Sequence, residues 1–87
     1  MSPITPVEAQ DFPYGKIGNV GQIGAAIRDK RRALGMRQAE LAALSGVGVR
    51  FLSELENGKP SAEIGRALTV LHRLGLDLLI KPRGPAR

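Results

Sequence analysis

The segment Gln38 to Gly58, QAELAALSGVGVRFLSELENG, constrains this chain more than any other. In its first half Ala39, Leu41, Ala42 and Leu44 place small or apolar groups at helical intervals, and Gly46 follows where the chain must reverse direction. In its second half Phe51, Leu52 and Leu55 recur at i, i+1 and i+4, forming one apolar side that Val47 joins from the turn. At about 100° per residue the opposite arc holds Val49, Arg50, Ser53, Glu54 and Asn57, while Gly48 leaves the start of the second helix bare. Asn57-Gly58 tolerates the left-handed conformation that closes a helix, and Pro60 blocks simple continuation. The pattern predicts two short helices around a tight turn, the second bearing a narrow exposed polar stripe. That is the layout of a helix-turn-helix, which implies DNA reading.

The flanks complete a mainly α domain. From Gly21 to Leu34, Ile23, Ile27 and Leu34 fall on one helical face with Ala26 beside them, and Gly35 ends a first helix. The charged run Arg28, Asp29, Lys30, Arg31 and Arg32 decorates the remainder as a solvated face placed for some phosphate contact. Beyond the central segment Ser61 is expected to cap a helix whose stripe is Ile64, Ala67, Leu68, Leu71 and Leu74, ending at Gly75. His72 lies beside that stripe and is assigned no chemistry.

Then the period changes. Leu76, Leu78 and Ile80 alternate with Asp77, Leu79 and Lys81, which predicts a strand over 76–81 stopped by Pro82. No second strand is evident in the foldable part of the chain, and an isolated strand leaves its ladder groups unpaired. Its nearest edge is the same strand of a second copy, which predicts a homodimer with an intermolecular antiparallel ribbon. The alternative is that this segment extends the last helix or packs as an irregular tail. Residues 1–20, with Pro3, Pro6, Pro13, Gly15 and Gly18, read as an extended arm in which Phe12 and Tyr14 are the large anchors; 82–87 read as a disordered tail.

Composition bounds the function classes. Of 87 residues only about 60 look foldable, a size at which a lone core is marginal and oligomerisation a natural remedy. The absence of cysteine removes disulfide staples and thiolate zinc sites, and one histidine makes no metal cluster, so neither metal nor cofactor is expected. No apolar run approaches the ~20 residues of a membrane span, which leads to the expectation of a soluble, cytoplasmic, nucleoid-associated protein. A net charge of +5 and a pI near 10.5 favour a polyanionic partner. With no nucleophile beside a base and no glycine-rich loop after a strand, an enzyme is not expected.

QAELAALSGV, followed by the F-L-S-x-L-E-N-G that closes the second helix, resembles the XRE family of lambda-repressor-like or Cro-like regulators. The match runs from Ile23 to about Leu74 through Gln38, Glu40-Leu41-Ala42, Gly46-Val47 and Glu56-Asn57-Gly58. The later HRLGLDLLIKP is similar to the end of HipB-type antitoxins. The resemblance implies a lambda-repressor-like fold of four to five helices, with a C-terminal strand (Leu76, Leu78, Leu79, Ile80) pairing across the dimer. It places Gly48, Val49, Arg50, Ser53 and Glu54 at base edges, with Arg50 first through its bidentate fit to guanine, and Gln38, Asn57 and Lys59 at phosphates. Arg28 and Arg37 join the phosphate set by position. It further implies a structural pair between Glu56 and an arginine of the first helix, which by register is Arg31.

Two departures from the family pattern have consequences. Arg37 stands where a capping Thr or Ser is usual, a deficit of roughly 1 kcal/mol unless another group, such as a phosphate, satisfies the free amides. Gly48 and Val49 replace polar residues, which suggests close backbone approach, apolar contact with a thymine methyl and partial reliance on DNA shape. The implied function is a homodimeric repressor of a palindromic operator, in the HipB version an antitoxin that restrains a HipA-like Ser/Thr kinase. The alternatives are a freestanding XRE regulator with no toxin, or an adaptor that keeps the fold without DNA affinity.

Overall fold

The computed structural model describes residues 17–82; the arm expected over 1–20 lies outside it as far as residue 16, with Phe12 and Tyr14, and so does the tail over 83–87. Four helices make up the described part: α1 (Val20–Ala33), α2 (Gln38–Ser45), α3 (Val49–Glu56) and α4 (Ile64–Arg73). α1 starts where Asn19, in extended conformation, accepts the Gln22 amide on its side chain at 2.9 Å, and the Gln22 side chain reaches back to the Gly18 amide. The basic residues Lys30, Arg31 and Arg32 fill its last turn, where they complement the helix dipole.

Packing follows the apolar registers. α3 lies against both α1 and α2, and α4 covers α2. Ile27 of α1, Leu41 and Ala42 of α2, Leu52 and Leu55 of α3, and Ala67, Val70 and Leu71 of α4 with Leu74 form one buried cluster. Val47 and Phe51 pack on its edge. Gly46 makes the α2–α3 turn at φ 70°, a conformation that a side chain would strain, while its amide and that of Val47 close onto Ala43 and Ala42.

The α1–α3 crossing depends on glycine. A Cβ built on Gly24 would stand 2.1 Å from the Leu55 carbonyl oxygen, so the two backbones meet at a distance only glycine permits. Below it Gly58, at φ 82°, faces Gly21, whose Cα would lie 2.9 Å from an added Cβ. This seats the C-terminal half of α3 directly on α1 and fixes the direction in which its opposite face looks.

Several sequence expectations are corrected. Leu34 is exposed, because α1 ends at Ala33 and Leu34 is already its cap, turned off the stripe. Leu44 and Ile64 are exposed too, whereas Val70, outside the expected stripe, is fully buried. Ser61 does not cap α4: Pro60-Ser61 form the corner of a turn closed by the Ala62 amide on the Lys59 carbonyl, and the helix begins at Ile64 with Glu63 as its cap residue. The strand expected over 76–81 is a different case: its ladder was expected on a second copy, and in the single chain Leu76 to Ile80 pair with no strand among the described residues. Leu76 and Leu78 fold back onto the core, and Leu79 and Ile80 remain exposed.

Candidate nucleic-acid interface

α3 owes its accessible face to its amphipathic sequence. Leu52, Leu55 and Glu56 are buried, while Val49, Arg50 and Asn57 are exposed and Ser53 and Glu54 half-buried. Gly48 precedes the helix at φ −75° and ψ 152°, which any residue adopts, and nothing lies within 4 Å of where its Cβ would stand. The fold therefore does not require glycine at this position. With no side-chain cap, the Val49 and Arg50 amides are without partners among the described residues, leaving donors at the positive end of the helix.

The Arg50 side chain is 92% exposed. It is the cation at the front of α3, with its Nε 3.5 Å from Glu54 Oε2 one turn on. Lys59 Nζ, from beyond the end of α3, donates to the other Glu54 oxygen at 3.2 Å. The hydrogen bond from Lys59, with the nearby Arg50 charge, holds the Glu54 carboxyl below its ordinary pKa despite partial desolvation. Arg50, Glu54 and Lys59 thus form a single chain of alternating charge along the exposed side.

Behind α3 lies a second polar group of a different kind. Arg31 Nε donates to Glu56 Oε2 at 2.7 Å and its Nη2 to Glu56 Oε1 at 2.9 Å, a bidentate pair whose side chains are only 9% and 2% exposed. Arg31 Nη1 is also used, donating to the Met36 carbonyl at 2.9 Å, which ties the α1–α2 connection to the same arginine. Burial pushes the Glu56 carboxyl up, but the bonds from Arg31 and Gln38 and the charges of Arg31 and Arg28 outweigh it, so its pKa lies below the usual range. The hydrogen bond to Glu56 raises that of Arg31.

Gln38 has a role that the sequence did not disclose. Its Nε2 donates to Glu56 Oε1 at 3.0 Å, so the first residue of α2 is tethered to the last residue of α3. One N–H of that amide remains for an external acceptor. The signal available in sequence was a carboxylate on the buried side of α3, whose acceptor capacity a bidentate arginine fills only in part. Arg37 has no acceptor to offer α2; instead the Glu40 side chain accepts the Arg37 amide at 2.8 Å, and the Gln38 and Ala39 amides stay open among the described residues. Arg28 and Asn57 make no side-chain hydrogen bond or ion pair among the described residues. No group of metal-binding side chains and no helix long and apolar enough to cross a membrane occurs there either.

Two short helices joined at a left-handed glycine, the second seated on α1 and presenting its far side outward, define a helix-turn-helix. The helix-turn-helix family profile matches residues 27–80. The chain is 44% identical over 72 residues to an uncharacterized HTH-type transcriptional regulator, y4mF, of Sinorhizobium fredii, covering 83% of this chain and 95% of that one. It is 35% identical over 60 residues to the immF control region 10 kDa protein of Bacillus phage phi105, covering 67% of each. Among solved structures it superposes on HipB in a HipB-O4 20mer complex with a TM-score of 0.72 at 25% identity, covering 79% of this chain and 97% of that one. A serine-to-alanine variant of HipB in an O2 20mer complex gives a TM-score of 0.73 at 26% identity, over 79% of this chain and 96% of that one. The chain belongs to the helix-turn-helix family of XRE-type transcriptional regulators.

Proposed function

We propose that this protein is a homodimeric repressor that binds a palindromic operator in its own promoter and, as a HipB-like antitoxin, restrains a HipA-like Ser/Thr kinase. The observation that carries the DNA reading is the outward face of α3, with Arg50 at its front, Val49 and Asn57 exposed, and the helix start uncapped. That arrangement suits a helix whose first residues enter the major groove, where Arg50 grips guanine O6 and N7 while Gly48 and Val49 allow close approach and thymine-methyl contact. Ser53 and Glu54 face the same groove. Arg28, Arg37, Gln38, Asn57 and Lys59 are assigned to the phosphates; the open amides at the start of α2 and the free N–H of Gln38 are donors suited to that contact.

The likeness to HipB in complexes with 20mers supports both a duplex partner and the antitoxin assignment. The dimer is supported by the segment after α4, which carries exposed Leu79 and Ile80 with no ladder partner among the described residues. A second reading, a freestanding regulator with no toxin, draws on the relative from a phage control region. A kinase gene adjacent to this one separates the two.

The DNA reading is tested by gel shift with the upstream region and Arg50→Ala. Wild-type protein should bind with strong salt sensitivity, and the variant should lose about 1–3 kcal/mol of discrimination for guanine at one position of each half-site. Salt-insensitive or absent binding, with no effect of Arg50→Ala, would instead identify an adaptor that retains only the fold.

A further inference from the structure

We propose that Glu54 is a specificity-determining residue that works by opposition: it lowers affinity for all DNA and regains that loss only where a base amino group faces it. The proposal rests on the DNA-binding reading above. Its basis is the placement of one carboxylate in the middle of the exposed side of α3, bound at once to Arg50 Nε at 3.5 Å and Lys59 Nζ at 3.2 Å. These are the base-reading and phosphate-contacting cations of that reading, and Glu54 neutralises one charge of the two.

Two effects follow from electrostatics. On arbitrary sequence, phosphates must compete with Glu54 for Arg50 and Lys59 and come close to a carboxylate held ionised, so counterion release is reduced. On cognate sequence, Arg50 leaves Glu54 for guanine O6 and N7, and the freed carboxylate oxygen accepts from the amino group of a neighbouring cytosine or adenine. The same side chain is thus repulsive in the wrong register and satisfied in the right one, the combination that widens an affinity ratio without raising the affinity. The i, i+4 tether also keeps the long Arg50 side chain near its working position before binding.

Glu54→Gln tests this, because the amide keeps the shape of the half-exposed side chain and one acceptor oxygen while it removes the charge. Full-length wild type and variant are titrated by fluorescence anisotropy against the operator duplex and a scrambled duplex of equal length over a range of salt, with a thermal melt to verify folding. The variant should bind scrambled DNA on the order of tenfold more tightly, with a salt slope steeper by about one counterion per protomer, and its operator-to-scrambled ratio should fall by a similar factor. An unchanged ratio, or equal weakening on both duplexes, would overturn the proposal while leaving the DNA reading intact. Wild type that binds neither duplex would overturn both.

Discussion

At the residue scale the decisive choice is the burial of a charge pair in a small core. A buried carboxylate left without partners would be strongly unfavourable, but Glu56 receives three hydrogen bonds, two from Arg31 and one from Gln38. Its pKa lies below that of an unfolded chain, so its contribution is fully present above about pH 4.3 and disappears as the pH falls through the lower folded value. Glu56→Gln strands Arg31 and should remove about 3 kcal/mol at pH 7, a large part of what a domain this size holds. In urea titrations from pH 7 to 2.5, wild-type stability should drop below about pH 4.3 and the variant's should drop less steeply. Equal acid limbs would show that Glu56 does not link folding to protons. The pairing of Glu56 with an arginine of α1 was implied by the family resemblance, and register pointed to Arg31; its bidentate geometry came only with the structure. Gln38 was not readable as a donor to it, because position 38 meets position 56 only through the α2–α3 turn angle, a tertiary quantity.

At the scale of the element, what the sequence disclosed depended on whether a residue has a side chain to pattern. Ile27, Leu41, Leu52, Leu55, Leu71 and Leu74 stood out by period, and all are buried. Gly24 did not, because hydropathy is silent about a residue whose importance lies in having no Cβ, although it shares a face with Ile27 and Arg31 at spacings of three and seven. Leu34, Leu44 and Ile64 fitted a period and are nonetheless exposed, since periodicity cannot tell where a helix stops or whether a neighbour covers its edge. The Gly24 contact gives a sharp test. Gly24→Ala would ordinarily favour a helix by up to about 1 kcal/mol, but here it drives a methyl into the Leu55 carbonyl. The obstacle is backbone, so α1 and α3 must separate, and overpacking of this kind costs about 1–3 kcal/mol or more. The melting temperature should fall by several degrees in calorimetry. A neutral or stabilising outcome would mean that the two helices do not cross as closely as described.

For the whole molecule, two-fold pairing would solve two problems together: it would cover apolar groups that a chain this small leaves in water, and it would space two α3 faces for successive turns of a duplex, ~34–36 Å apart. Leu78 is a poor probe of that pairing because it packs on its own core, so damage there would mix folding with association. Ile80 is clean, being 93% exposed in the single chain. If the segments after α4 pair across a dyad, each Ile80 loses most of that exposure, worth about 1.5–3 kcal/mol per copy. Ile80→Lys should then leave the monomer's thermal melt nearly unchanged and raise the dimer dissociation constant by at least about a hundredfold, read by sedimentation at micromolar concentration. Operator binding should weaken in parallel and recover part of its strength at high protein concentration, because each monomer still carries an intact α3 and what is lost is the linkage that presents two of them at once. A variant that sedimented as a dimer with wild-type affinity would place the association elsewhere on the surface, and the segment after α4 would then be a strap that closes the core through Leu76 and Leu78 alone.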